Sequence, residues 1–317
     1  MNQLARETTN WAFKLYKQET WLLLTGLLGF LLAGVCGIWV LLNGGPVSPD
    51  GDISKAFSFN AALGIFIVST AIILPVSGMR PRSKSFYRWC YIPLVLFSYF
   101  AETVQNFRGV DPRFVQNGST FDHVISTIFP AVAMLLVVFY LILGTQYFRK
   151  RVIEAHPELG LGIRYAMIAV LVSFAAGIWI SINAGRFTGI GGNIIWLHGL
   201  GFHALQAIPF VAWLSMRKSV NPAVKPILIH ISGLAYLLGL IAIGWQTFLG
   251  YSIAEWSLLP ILAGSCLLVA FTPVIWPMQP LNPSTMPNPH VMYKTCKKKR
   301  NSTGIFPPVS SIKTLRQ

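Results

Sequence analysis

Charge is what this sequence lacks most. Asp, Glu, Lys and Arg together make up only 11% of its 317 residues, against about 25% in soluble domains. So few charged groups cannot cover a water-facing surface, which excludes an ordinary soluble globular protein. Cysteine is scarce too: Cys36, Cys90, Cys266 and Cys296 show no CxxC or paired spacing, and three of them sit in or beside apolar stretches. That pattern points to neither a disulfide framework nor a zinc site. The HExxH zinc helix, the GxSxG elbow, the GxxxxGK[ST] phosphate loop and the CxxCH haem attachment are all missing. No lysine falls inside an apolar run, which argues against a retinal Schiff base.

Apolar residues fill the chain instead, at 54% with a mean hydropathy of +0.57. A helix needs about 20 apolar residues to cross the hydrocarbon core. Eight segments qualify: residues 21–42, 59–78, 90–105, 121–143, 165–183, 190–214, 226–248 and 253–276. The third is the weakest, because Glu102 and Gln105 fall in its last turns. The first is not a signal peptide, since its apolar run is too long and lacks a small-residue cleavage site. The expectation is an all-α integral membrane protein with eight transmembrane helices.

Basic residues set the orientation, because Lys and Arg gather on the cytoplasmic side. With the N-terminus inside, 21 of the 25 basic residues lie on that side, and only Lys55, Arg108, Arg113 and Arg186 lie opposite. Both termini are therefore expected in the cytoplasm. The net charge of +15 then describes loops and a tail facing anionic lipid, not a nucleic-acid surface. Residues 1–20 read as a cytoplasmic interfacial arm with Trp11, Phe13, Leu15 and Tyr16 among its polar residues. Residues 144–164 read as a basic linker, and residues 277–317 as a disordered, Pro-rich basic tail.

Residues 21–143 and 165–276 resemble each other. Gly37-Ile38-Trp39 with Asn43-Gly44-Gly45 matches Gly177-Ile178-Trp179 with Asn183-Ala184-Gly185. Leu63-Gly64 and Met79-Arg80 match Leu200-Gly201 and Met216-Arg217. Gln105-x-Phe107-x-Gly109 matches Gln246-x-Phe248-x-Gly250. Three matches in order, at equal membrane depth, suggest a duplicated four-helix unit. An even number of spans per unit makes the copies parallel, related by a pseudo-two-fold axis along the membrane normal.

Ionisable groups are costly inside a bilayer and default to functional candidates. Most of them gather at the outer side: Glu102, Gln105, Arg108, Asp111, Arg113, Asp122, His123, Asn183, Arg186, Gln246 and Glu255, with His198, His203 and Gln206 running inward along the sixth span. Only His230 lies near the inner face. This suggests an outward-facing polar chamber above an apolar inner half. His203 and Gln206, three residues apart, share a helix face. His198 and His203, five apart, point about 140° away from each other and cannot jointly hold one metal. Each candidate also has a plain reading: buried hydrogen-bonding groups for the histidines, surface-closing ion pairs for Glu102, Asp122 and the arginines.

The run Glu102-Thr-Val-Gln105-Asn-Phe-Arg108-Gly109, with Phe114 and Thr120-Phe-Asp122 after it, resembles a pattern in a group of bacterial multi-span membrane proteins. The run from His198 to Gln206 followed by Pro209 resembles it as well. The resemblance spans the third to sixth segments. It implies a bacterial inner-membrane protein and no assigned activity. The extension beyond Trp276 departs from it.

Three functions stay open. The first is transport or binding of a small molecule or ion in the outer chamber, at Glu102, Gln105, Arg108, Asp122, His123, Arg186, His198, His203, Gln206 and Gln246, with no cofactor and no catalytic residue. The second is a membrane redox protein using haem b or quinone, with His123 and His198 as the ligand pair if their helices are neighbours. The third is a non-catalytic assembly or scaffold subunit.

Overall fold

A computed structural model describes residues 3–116, 118–217 and 221–275. Residues 1–276 form one compact unit, and the expected basic tail at 277–317 lies outside the described residues. The long helices are α1 (Gln3–Asn43), α2 (Ile53–Ile73), α3 (Pro81–Phe107), α4 (Thr120–Gln146), α6 (Pro157–Ile182), α7 (Ile194–Arg217), α8 (Val224–Phe248) and α9 (Leu258–Ile275). A short α5 (Lys150–Ala155) precedes α6. Each of the eight apolar segments therefore falls on its own helix.

Six of these helices are long and apolar enough to cross a membrane: Glu19–Asn43, Ile53–Ser77, Thr120–Gln146, Pro157–Ile182, Ile194–Met216 and Val224–Phe248. The other two expected spans fall short for different reasons. Helix α3 has 27 residues but carries Arg82, Lys84, Arg88 and Glu102. Leu258–Val274 is apolar but short. Large apolar side chains such as Leu31, Leu41, Ile241 and Leu268 stand exposed on the helix surfaces. Lipid explains such a coat, since water-soluble monomers rarely expose so much contiguous apolar area.

Helix α1 breaks at Glu19, whose φ of −127° and ψ of 30° leave the helical region. The break separates residues 3–18 from the apolar run, close to the boundary expected for the interfacial arm.

The helices alternate in direction and so define two ends. One carries two β-ribbons. Strands β1 (Pro46–Val47) and β2 (Gly51–Asp52) pair antiparallel, Pro46 opposite Asp52. Strands β3 (Phe187–Thr188) and β4 (Gly192–Asn193) pair likewise, Phe187 opposite Asn193. Each ribbon leads directly into a helix whose start is capped by a side chain: Ser54 N donates to Asp52 Oδ1 at 2.9 Å, and Ile195 N to Asn193 Oδ1 at 3.1 Å.

Each ribbon also docks on a glycine with positive φ, Gly109 (+77°) or Gly250 (+81°). Asp50 N donates to Gly109 O at 2.8 Å and Gly191 N to Gly250 O at 2.9 Å. Val110 N donates to Gln105 O at 2.9 Å and Tyr251 N to Gln246 O at 3.2 Å. A side chain at either glycine would strike the ribbon backbone, at Ser48 O for Gly109 and at Gly189 for Gly250. These paired bonds all recur 141 positions apart. The 3-10 turn Leu74–Ser77 follows α2.

Packing follows the same division. Helices α1, α2 and α3 pack on one another, as do α6, α7 and α8; α4 packs on α3, and α9 on α8 and α7. The halves meet where α2 touches α7 and α4 touches α6. There Phe66 stacks against Tyr140 (4.7 Å) and Phe202 (4.9 Å), and Phe174 closes the group against Tyr140 (5.8 Å) and Phe202 (5.5 Å).

Candidate functional site

At the ribbon end of the first half, the last turns of α3, the loop of residues 108–119 and the first turn of α4 converge. Glu102 is 1% exposed, and its Oε1 accepts from Arg113 Nε at 2.7 Å and from Arg113 Nη2. The Arg113 guanidinium lies over the rings of Phe59 (5.5 Å) and Phe129 (5.9 Å). A planar cation suits such a cage, since it satisfies the carboxylate edge-on and the rings face-on. Arg113 N also donates to Asp111 Oδ1 at 2.9 Å, and Asp111 Oδ2 takes the Lys55 ammonium at 2.9 Å.

Asp122 completes the cluster. It forms a capping box with Ser119, accepting from Ser119 N (2.9 Å) and Ser119 Oγ (2.7 Å). Gln105 Nε2 (2.9 Å) and Arg108 Nη2 (3.0 Å) donate to its other oxygen. Arg108 lies over Phe121 at 5.0 Å. Asn106 ties the cluster to the ribbon: its Nδ2 donates to Glu102 O at 2.7 Å, and its Oδ1 accepts from Asp52 N at 2.9 Å.

The three ion pairs share one design. The acid side chains of Glu102, Asp122 and Asp111 are 1%, 4% and 14% exposed; those of their partners Arg113, Arg108 and Lys55 are 37%, 47% and 43% exposed. Acids sit inside, and cations cover them from the solvent side. For Asp111 burial pushes the carboxyl pKa up, but the Arg113 N–H and the Lys55 ammonium outweigh it and hold it below its ordinary value. Glu102 and Asp122 are thus ion-paired with the loop arginines Arg113 and Arg108, the pairing that the plain reading names, and Gln105, Asp111 and Lys55 join the same cluster.

The other expected residues lie apart. Arg186 is exposed and stacks on Phe187 at 4.9 Å. Gln246 Nε2 donates to Ser252 O at 3.0 Å and approaches Glu255 at 3.4 Å. His123 is exposed on α4, where it borders a shallow depression with Thr120, Val124, Thr127 and Ile128. His198 Nδ1 is 2.8 Å from Ser173 O, and its ring stands edge-on to Phe202 at 4.9 Å. His203 Nδ1 is 3.2 Å from Gln206 Oε1, and Gln206 Nε2 donates to Ser69 Oγ at 2.7 Å. His203 and Gln206 therefore act together, as their spacing suggested, and they bridge the halves. Helix α4 packs on α3 and α6, and α7 on α2, α6, α8 and α9. The neighbouring helices that a His123–His198 haem pair needs are not among these contacts. Among the described residues no three His, Cys, Asp or Glu side chains cluster to hold a metal.

Three features escape sequence reasoning. Glu19 is 2% exposed at the opposite, basic end, held by Arg88 through Nε–Oε2 (2.8 Å) and Nη2–Oε1 (3.1 Å). Asn60, fully buried, donates to Thr103 Oγ1 at 2.9 Å. Finally Tyr87, Tyr91, Tyr99, Tyr140 and Tyr147 are each at most 2% exposed. Tyr87 and Tyr91 stack at 5.1 Å, and Tyr147 Oη donates to Ile73 O at 2.8 Å. Toward the basic end the bundle is aromatic and phenolic. Tyrosine reads as hydrophobic in composition, so only its four-residue spacing on α3 could have signalled this. Searches against protein-family models, curated proteins and solved structures return no match to this chain.

Proposed function

We propose that the chain is a polytopic bacterial inner-membrane protein that binds or transports a small molecule or ion at the Glu102–Arg113 cluster. In this reading all eight long helices span the bilayer, the ribbon end faces outward and both termini are cytoplasmic. Twenty-one of the 25 basic residues then lie on the cytoplasmic side. The recurrent ribbon, cap and glycine contacts 141 positions apart support two parallel four-helix repeats. Helix α3 can serve as a span despite its polarity, because Glu102, Gln105 and Asn106 point into the bundle while Leu96 and Phe100 face out.

One observation carries the functional reading: a carboxylate 1% exposed, answered by an arginine that reaches it from a loop. A helix-packing role would be met more cheaply by apolar side chains. An arginine held on a loop can swing away, which opens Glu102 to a ligand. Arg113 is thus the latch of the Glu102 site.

The test is a thermal-shift screen of the detergent-purified protein against small cations, anions and zwitterions. A ligand that stabilises the wild type but not Glu102→Gln, and still stabilises His230→Ala, supports the site. Equal stabilisation of all three proteins by every active compound refutes it.

A further inference from the structure

Where the two halves meet, Gln206 Nε2 donates to Ser69 Oγ, and Ser69 Oγ in turn donates to Ile65 O, each at 2.7 Å. The hydroxyl spends its one proton on the carbonyl, so it accepts from the amide. The amide oxygen therefore faces His203 Nδ1, at 3.2 Å. In the neutral ring Nδ1 then carries the proton, and Nε2 is left as a bare acceptor. Among the described residues no hydrogen bond reaches Nε2. His203 is exposed, nine residues into α7, a rise of about 13.5 Å. That depth is close to the middle of a hydrocarbon core about 30 Å thick, where a polar group facing lipid calls for a partner.

The two sides of this meeting differ. On one, Phe66 of α2, Phe174 of α6 and Phe202 of α7 form a plug with Tyr140 of α4, and α4 packs on α6. On the other, α9 packs on α8 and α7 but makes no comparable contact with α1. Helix contacts set which residues of the proposed repeats correspond. A Cβ on Gly29 would meet Asn60 O, and one on Gly201 would meet Ala169 O. Helices α1 and α6 thus correspond 140 positions apart, and α2 and α7 141 apart, one turn from the Gly64–Gly201 sequence match. In that register Phe174, Phe202 and Phe66 correspond to Gly34, Ala61 and Ala207. Three rings on one side are answered by three small residues on the other, none of them fully buried. Among the described residues nothing lies within 4 Å of where a Cβ on Gly34 would stand. Ala207 is one turn from His203, so the imidazole borders the same gap.

We infer that this gap is a lipid-facing binding crevice for a membrane-dissolved molecule with a hydroxyl on a flat apolar ring, a phenol or quinol. The ring takes the space that phenylalanines fill on the other side. Its O–H, positive at the proton, meets the lone pair of His203 Nε2, and the chain through Gln206 and Ser69 to Ile65 O holds the imidazole in that tautomer. Trp196 and Phe210, seven residues to either side of His203 and each 49% exposed, share its helix face and flank the ring. A quinone sets acceptor against acceptor and is disfavoured. A lipid acyl chain fills the gap but leaves Nε2 unanswered. The crevice is a second site, separate from Glu102, and it rests on the bilayer-spanning and repeat readings above.

The test measures anaerobic binding of tritiated duroquinol to the full chain in nanodiscs by scintillation proximity, against empty nanodiscs. Saturable binding above the empty discs is expected, weakened about tenfold in His203→Phe by loss of one hydrogen bond. The dimethyl ether of duroquinol has the same ring and no O–H. It should compete about tenfold less well than duroquinol in the wild type, and equally well in His203→Phe. Gly34→Phe, which copies the plug, should abolish binding with His203 intact, and His230→Ala should bind as the wild type does. No saturable binding, equal competition by quinol and ether in the wild type, or binding unchanged in both His203→Phe and Gly34→Phe overturns the inference. So does an Ala207→Cys variant that cross-links to a second copy and binds no duroquinol, since the face then pairs two chains. The two proposals fail separately. A ligand that stabilises through Glu102 without quinol binding leaves that site and removes the crevice; quinol binding that depends on His203, without any such ligand, does the reverse.

Discussion

Replacing Arg88 with Leu isolates the value of a buried charge pair that holds α1 to α3. Arg88 meets Glu19 through two parallel contacts at 2.8 and 3.1 Å, linking residues 69 apart in sequence at the point where α1 breaks. The Glu19 side chain is 2% exposed and that of Arg88 17%. Removing one partner of a fully buried pair costs about 3–5 kcal/mol, because the survivor stays charged and unpaired. Partial exposure of Arg88, and Lys84 close enough to feel Glu19, reduce this to an expected loss of roughly 2–3 kcal/mol. Glu19→Gln should cost less, about 1–2 kcal/mol, since a released arginine can extend toward water. The double variant Glu19→Gln, Arg88→Leu leaves no buried charge and should return to within about 1 kcal/mol of wild type. Unfolding in mixed micelles, followed by helical circular dichroism, gives all four free energies. The reasoning fails if Arg88→Leu stays within about 0.5 kcal/mol of wild type, or if the two single losses simply add.

Other expectations use the same purified protein. Gly109→Ala and Gly250→Ala should each lose at least about 2 kcal/mol, because the positive φ and the docked ribbon both reject a side chain. Gly34→Ala meets nothing within 4 Å and should be neutral or gain up to about 1 kcal/mol of helix propensity, read from the same melts. The pH dependence of stability should include a small acid-side fall from Asp111. Its carboxyl titrates below its ordinary value when folded, so the stabilisation is present above that ordinary value, about 3.9, and fades as pH drops through the lower folded value. Asp111→Asn should remove that part of the fall, and an unchanged acid limb between wild type and variant would contradict the Lys55–Asp111 pairing.

The helices were legible because apolar run length is a local property. All eight predicted segments lie on separate helices, and the start of the first falls within two residues of the break at Glu19. What set the limits was chemistry that spans long separations. The β-ribbons have two-residue strands, too short to leave an alternating pattern. Their register is fixed instead by Gly109 and Gly250, more than 50 residues downstream. The cluster at the ribbon end was visible as a collection of residues, since charges in an apolar background stand out. Its pairing was not, because Arg113 reaches Glu102 only through the path of the loop. The candidates along α7 were visible too, but side-chain polarity alone does not tell a bridge such as Gln206–Ser69 from a chamber wall. Glu19 was overlooked because it sits beside a polar arm, where an acid reads as ordinary surface.

Closure of the Glu102 site by Arg113 is tested most directly by thiol accessibility at Ser98, a 2% exposed position one turn deeper on α3. With the four native cysteines replaced, Ser98→Cys is exposed from the ribbon side to a small membrane-impermeant methanethiosulfonate. The cysteine should react slowly while Arg113 is present, and about ten times faster once Arg113→Gln removes a latch worth about 1.4 kcal/mol or more. A rate that is the same with and without Arg113 would show that the loop does not guard the buried face of α3, and that the Glu102 cluster is a fixed structural element.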